Sequence, residues 1–350
     1  MNKQPKSKLT GYNLIEGDAA EILATFPANS YDLVITSPPY NMGKEYELNE
    51  HKSLDLYLEK LDRIVELLIA KLSPSGSICW QVGNFVENGE IIPLDVLTYP
   101  MFQRRGLKLR NRIIWRFNFG LHATNRFSGR YETVLWFTKS DNYTFNLDTV
   151  RIPQLYPGKR YSSKKGAKAG LPSGNPLGKN PADFWEFNAK DHFAEGSVWD
   201  IPNVKSNHPE KTFHPCQFPI ELAERCVLAL SSPGDTVFDP FVGTGTTVLA
   251  ALRHARSGIG LDRERKYLVL ARTRISELGK GTLKIRQLGK PVPNPKLMGR
   301  VAETPKEWLK QGGDEKKWPI RANPKRKKPR TKSLLQSKKR KQSSVLKRGK

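Results

Sequence analysis

Two buried strands that each run straight into a stiff turn constrain this chain more than anything else in it. Tyr31-Asp32-Leu33-Val34-Ile35 is an apolar strand ending in Thr36-Ser37-Pro38-Pro39-Tyr40. Far downstream, Thr236-Val237-Phe238 ends in Asp239-Pro240-Phe241-Val242-Gly243-Thr244-Gly245-Thr246-Thr247, a glycine turn that opens onto a helix. A Pro-Pro pair lacks the N–H donors a strand ladder needs, so the first strand must stop there. A strand, a glycine turn and a helix in succession form the repeating unit of a parallel α/β sheet.

The same alternation continues around these two units. Asn13–Asp18 reads as a short strand with a turn, Ala19–Thr25 as a helix, and Leu54–Leu72 as an amphipathic helix with Leu54, Leu58, Leu61, Ile64, Leu67 and Leu68 at helical spacing. Ser73-Pro74-Ser75-Gly76 stops that helix before a strand over Ser77–Val82. Ile113–Phe117 and Thr133–Phe137, β-branched and aromatic, read as a strand pair joined by the loop 118–130. Periodicity then disappears over 151–207, where Gly, Pro, Lys and Asn crowd together. It returns as helices over Pro219–Leu230, Thr246–His254 and Lys266–Leu278, alternating with strands over Thr236–Phe238 and Gly258–Leu261.

The expected fold class is therefore α/β, a doubly wound, mostly parallel sheet with the pair at 113–137 as an antiparallel edge. Four parts are expected. Residues 1–150 carry the Pro-Pro half of the domain and 208–285 the glycine half. Between them lies the irregular insertion 151–207, and after them a C-terminal extension, 286–350, ending in a disordered basic tail.

The net charge is +25; residues 321–350 hold 14 Lys or Arg and no Asp or Glu, leaving +11 on residues 1–320. That excess favours a polyanionic partner. Three cysteines, Cys79, Cys216 and Cys226, show neither an even framework nor metal-ligand spacing, which points to a reducing compartment and no metal site. Met1–Thr10 has no apolar core of the secretory kind, and no stretch is long and apolar enough for a membrane span. A cytoplasmic, nucleoid-associated protein is expected.

Gly243 and Gly245 let backbone N–H groups approach a ligand closely, and the helix N-terminus behind them favours a negative group. A dinucleotide fingerprint asks for a third glycine at position 248, which is Val248. A smaller ligand suits the turn better, such as S-adenosylmethionine with its carboxylate at the helix N-terminus. Asp262 ends the next strand, where an acid accepts from ribose hydroxyls. A generic strand–turn–helix connection would explain the glycines alone.

Together these segments resemble the DNA amino-methyltransferases. Asp239–Thr246 is similar to their cofactor motif, Gly260-Leu261-Asp262 with Tyr267 to the motif after it, and Ser37-Pro38-Pro39-Tyr40 to their catalytic motif. The catalytic motif precedes the cofactor motif, as in the β group of that family, and the resemblance covers residues 12–278. It implies the class I methyltransferase fold, S-adenosylmethionine as cofactor and double-stranded DNA as substrate. His214-Pro215-Cys216-Gln217-Phe218-Pro219 resembles the segment that lines the methionine end of the cofactor, and Gly17-Asp18 the turn whose acid reaches the adenine amino group. The implied cofactor set is Asp18, His214, Phe218, Asp239, Phe241, Gly243, Gly245, Thr246 and Asp262. Asp239 and Phe241 are equally open to a role in the turn and core.

The exocyclic amine of cytosine or adenine is a poor nucleophile, because its lone pair is delocalised into the ring. Catalysis needs acceptors that hold its N–H groups and aim the nitrogen at the methyl group. The Ser37 hydroxyl is one acceptor, and the Pro38 carbonyl, presented by the rigid Pro38-Pro39 pair, is another. Tyr40 supplies a face on which a flipped base can stack. In the family, Ser at the first position goes mostly with N4-cytosine enzymes and Asp or Asn mostly with N6-adenine enzymes. Cytosine is the expectation and adenine the alternative. Pro215-Cys216 mimics the nucleophile of C5-cytosine methyltransferases but lies upstream of the cofactor glycines, so Cys216 is expected to be structural.

Arg104, Arg105, Lys108, Arg110, Arg112, Arg116, Arg126 and Arg130 crowd the strand pair. The insertion interleaves Lys159, Arg160, Lys164, Lys165 and Lys168 with Tyr156, Tyr161, Phe184, Trp185 and Trp199, a mixture suited to phosphate and base contacts. The resemblance places target recognition in that insertion, 151–207. It also implies a restriction–modification setting, with a cognate restriction endonuclease as candidate partner; monomer and homodimer both stay open. The rival readings are an RNA or protein amide methyltransferase and a DNA-binding protein on a decayed methyltransferase scaffold.

Overall fold

The computed structural model describes residues 11–41, 53–117, 122–152, 158–162, 166–185, 201–205 and 208–288, the last two residues of 166–185 by their backbone only. Residues 42–52 and the basic tail lie outside the described residues, as do Tyr156, Lys164, Lys165 and Trp199.

The sheet is built around β2 (Tyr31–Thr36) and its neighbours β3 (Leu72–Val82) and β9 (Thr236–Asp239). Beyond β9 lie β10 (Ser257–Asp262) and β1 (Tyr12–Glu16); beyond β3 lie β7 (Tyr131–Thr138), β6 (Lys108–Arg116) and the two-residue β8 (Phe184–Trp185). The order is β1-β10-β9-β2-β3-β7-β6-β8, and β7 alone runs against the rest. A separate hairpin pairs β4 (Asn84–Glu87) with β5 (Glu90–Pro93).

Both faces of the sheet are buried, and alternate residues point to different layers. Leu33, Ile35, Cys79, Val134 and Trp136 face α4 (Ile220–Leu230), α5 (Thr246–Arg253) and α6 (Arg265–Lys280). Val34, Ile78, Trp80, Leu135 and Phe137 face α1 (Ala19–Thr25), α2 (Leu54–Lys71) and α3 (Leu94–Gln103). Aromatic rings fill the second layer: Tyr31 stacks on Phe238 at 4.6 Å between centroids, and Phe102 on Phe137 at 4.3 Å. Among the described residues no helix is long and apolar enough to cross a membrane.

The doubly wound sheet is as expected, with three differences in detail. The Ser73–Gly76 turn does not separate helix from strand: β3 begins at Leu72, and the register with β2 jumps from Tyr31–Leu72 to Leu33–Ser77 across it. The strand pair is not the outermost edge, because β8, from within the aperiodic segment 151–207, adds in parallel to β6. Finally, α3 and the β4–β5 hairpin were not expected, since Pro93 and Pro100 interrupt the helical signal; Pro93 is the N-cap, and Pro100 sits inside the helix. The two ends of the insertion are anchored in the core through Val150, Ile152, Ile201 and Val204, and the Trp115 indole donates to the Ile201 carbonyl at 2.8 Å.

Candidate active site

From β9 the chain winds through α5 to β10 on one side; from β2 it winds through α2 to β3 on the other. The winding direction therefore switches between β2 and β9, where an open α/β sheet leaves a crevice at its strand ends. The Pro-Pro turn leaves β2 and the glycine turn leaves β9, so both motifs line one cleft. Its volume is about 1130 Å³, at or above the upper end of the range for a single small ligand.

The glycine turn is held in place by its neighbours. Gly243 (φ 47°) donates its N–H to Asp262 Oδ2 at 2.9 Å, and Glu264 N–H donates to Oδ1 at 2.8 Å. A Cβ on Gly243 would stand 3.3 Å from His214 Nε2, so the turn and the His214 ring leave no room for a side chain between them. The His214 ring packs edge-on against Tyr267 at 4.3 Å. Desolvation lowers its pKa to about 4, so the ring is neutral at physiological pH. Phe218, Phe241 and Thr246 line the cleft with it.

Asp18 lies beside them because β1 pairs with β10: Glu16 faces Asp262 in register, and Gly17 N–H donates to the Asp262 carbonyl at 3.1 Å. Asp18 caps α1, accepting from Ala20 N–H at 2.8 Å and Glu21 N–H at 3.3 Å, both through Oδ1. A polar cradle of backbone N–H groups, aromatic walls and two carboxylates fits a zwitterionic nucleoside such as S-adenosylmethionine. Asp262 keeps lone pairs beyond its two backbone bonds for ribose hydroxyls.

Two members of the expected cofactor set do not line the cleft. Asp239 is 1% exposed and accepts from Thr36 Oγ1 (2.7 Å), Thr247 Oγ1 (2.8 Å) and Phe241 N–H (3.0 Å). Desolvation raises its carboxyl to about 6. Gly245 (φ 79°) faces α6, where a Cβ would come within 2.9 Å of Ala271 Cβ; its glycine serves helix packing.

At the other turn, Tyr57 Oη donates to the Pro39 carbonyl at 2.7 Å. Among the described residues no donor reaches the Pro38 carbonyl, which leaves it available to a ligand. Ser37 Oγ donates to Tyr40 Oη at 3.2 Å, and Gln81 Nε2 donates to the same oxygen at 3.0 Å and to the Glu132 carboxylate. Burial first, and then the Glu132 charge, hold the Tyr40 phenol well above its usual pKa. Sequence reasoning missed Tyr57, Gln81 and Glu132. For Gln81 and Glu132 the available signal was a polar residue at the cleft end of an otherwise apolar strand; Tyr57, on α2, carried none. Cys216 is exposed on the cleft wall, not packed in the core, and its N–H donates to His214 Nδ1 at 3.2 Å.

The basic residues around the strand pair divide into two groups. Arg104 and Arg105 pair with Asp62, Lys108 and Arg110 with Asp141, and Arg112 with Asp95. Arg116, Arg126 and Arg130 line the cleft instead, with Lys205 and with Phe127, which is 100% exposed. In the insertion, Lys168 lies over the Tyr161 ring at 5.7 Å, and Arg160 donates to the Gly170 carbonyl.

The family model of the N6/N4 methyltransferases, described as DNA methylase, matches residues 31–273, and the chain belongs to that family. Type II methyltransferase M.BglII of Bacillus subtilis is 44% identical over 268 residues, which are 76% of this chain and 69% of that protein. DNA adenine methyltransferase YhdJ of Escherichia coli K12 is 31% identical over 265 residues, covering 75% and 82%. Among solved structures, a DNA modification methylase of Thermus thermophilus, assigned as such and complexed with S-adenosyl-L-methionine, aligns with a TM-score of 0.51 at 26% identity, over 79% of this chain and 99% of that one. The chain is thus a DNA methyltransferase, with S-adenosylmethionine as its cofactor.

Proposed function

We propose that this enzyme methylates the exocyclic amine of a base flipped out of duplex DNA, and that the base is cytosine, modified at N4. The observation that carries the reading is the adjacency of the two turns: Thr36 of the acceptor turn and Asp239 of the glycine turn share a hydrogen bond of 2.7 Å. S-adenosylmethionine supplies an electrophilic methyl group when bound. Asp262 would hold its ribose, Gly243 and Thr246 its amino-acid end beside His214 and Phe218, and Asp18 its adenine amino group. Ser37 and the Pro38 carbonyl would accept the two amine hydrogens, and the Tyr40 ring would form one wall for the base.

Ser37 supports cytosine through the family's usual pairing of Ser with N4 chemistry. The 31% identity to an adenine methyltransferase keeps N6 as the second reading. Residues 151–207, with Arg116, Arg126 and Arg130 at the cleft, would contact the DNA and read the target. The similarity to type II methyltransferases supports a role beside a restriction endonuclease. The deciding experiment is methylation of mixed-sequence duplex DNA with labelled cofactor, followed by digestion to nucleosides and mass spectrometry. N4-methylcytosine is expected; N6-methyladenine would overturn the base assignment while keeping the site.

A further inference from the structure

Glu132, the second residue of β7, lines the cleft, and direct methyl transfer as described above gives it no task. Three elements bring it to the acceptor turn. Gln81, near the end of β3, donates to both the Glu132 carboxylate and Tyr40 Oη, which uses both of its amide hydrogens. Tyr40 Oη accepts from both Ser37 and Gln81, so its own hydrogen is left to donate, and the Glu132 carboxylate held by the same Gln81 amide stands beside it. Gly83 leaves space for the meeting, because a Cβ there would lie 3.2 Å from both Tyr40 Cε2 and Glu132 Cγ. The result is a line of two hydroxyls and a carboxyl that starts at the proposed amine acceptor and ends away from it.

An amine that gains a methyl group must lose a proton, and the cleft has to place that proton somewhere. We propose that Glu132, acting through Tyr40 and Ser37, takes up the proton that the target amine sheds on methylation. The amine lone pair forms the new N–C bond while the pair of the broken S–C bond stays on sulfur, leaving one proton too many on nitrogen. That proton passes to Ser37 Oγ as the Ser37 proton moves to Tyr40 Oη and the Tyr40 proton to Glu132. Both hydroxyls end as they began, and Glu132 ends neutral until water reclaims its proton. Glu132 is thus a positioning and relay residue, and its role rests on reading Ser37 as the amine's acceptor.

The electrostatics suit the task. Desolvation lifts the Glu132 carboxyl to about 7, against the opposing effects of the Gln81 hydrogen bond, the Lys205 charge and the Tyr40 hydroxyl. Gln81, Lys205 and, beside Tyr40, Cys216 act on the line, and Arg116 and Arg130 line the same cleft. A base with a pKa near the working pH both takes and releases a proton efficiently.

The test combines single-turnover methylation of plasmid DNA from pH 5.5 to 8.5 with carbon-13 NMR of the glutamate carboxyls in cofactor-free, DNA-free protein. In the parent enzyme the rate is expected to fall as pH drops through about 7, following the Glu132 resonance. Glu132→Gln should be slower by roughly 10–100-fold and lose that limb, while Glu132→Asp should keep a limb that tracks its own titration. An unchanged limb or an unchanged rate in Glu132→Gln overturns the proposal, as does a Glu132 carboxyl that titrates in the ordinary glutamate range. If Glu132→Gln fails to fold, the limb of Glu132→Asp decides: one that ignores the Asp titration sinks the relay. Ser37→Ala, measured alongside, separates the two readings. A fast Ser37→Ala removes the acceptor assignment and the relay together, whereas a slow Ser37→Ala with a parent-like Glu132→Gln removes the relay alone.

Discussion

Thr36 and Asp239 lie 203 residues apart in the chain and share a buried hydrogen bond of 2.7 Å at the point where β2 and β9 end side by side. Thr247, the second residue of α5, donates to the other Asp239 oxygen and also to the Ile35 carbonyl at 3.0 Å. One carboxyl thereby clamps the acceptor turn to the glycine turn. Asp239→Ala leaves these donors unsatisfied in the core and should cost about 3 kcal/mol, while Thr36→Val should cost about 1 kcal/mol. Urea unfolding followed by circular dichroism checks both; equal effects would show that the clamp is not centred on Asp239.

Ser37→Ala removes one acceptor for the amine without touching the glycine turn. The rate of methyl transfer should fall about 100-fold, with cofactor affinity by calorimetry unchanged. A matching loss of cofactor affinity would place Ser37 in the cofactor pocket instead.

The two turn glycines should fail in different ways. Gly243→Ala strains a left-handed backbone and also pushes toward the His214 ring, so it should cost about 1 kcal/mol of stability and weaken cofactor binding besides. Gly245→Ala adds a Cβ against Ala271 in a left-handed conformation and should cost at least about 1–2 kcal/mol of stability. Thermal melts with and without S-adenosylmethionine distinguish the two.

His214 contributes a pH dependence of known sign. Its folded pKa, about 4, lies below the unfolded value of 6.5. The unfolded chain therefore binds the extra proton first as pH falls. Stability from this group is complete above about 6.5 and is lost progressively toward 4. His208 has the same sign, while Asp239 and Glu132, with raised pKa values, have the opposite one. The difference between parent and His214→Asn in urea midpoint, followed from pH 4.5 to 8, isolates the effect and should shrink toward acid.

The elements that carried a clear period were legible in the sequence, and so was the pairing of two special turns. Leu54–Lys71 forms its helix with Leu61, Ile64, Leu67 and Leu68 buried as their spacing predicts. What the sequence concealed depends on neighbours distant in the chain. Asp239 looks like a ligand residue in its motif, and only the arrival of Thr36 and Thr247 consumes its oxygens. Gly245 looks like a phosphate-type glycine until Ala271 stands over it. Gln81 and Glu132 carry no motif, since their meaning comes from β3 ending and β7 beginning side by side at Tyr40. The arginine cluster likewise divides only once Asp62, Asp95 and Asp141 have claimed their partners.

The pairing of β1 with β10 has a consequence for the order of synthesis. β1 and β2 leave the ribosome early, yet each waits for a neighbour from β9–β10, made late in the same chain. Until translation has passed those strands, the acceptor turn exists without the glycine turn. An interrupted product therefore carries half a cleft, and modification begins only when both halves of the message have been read.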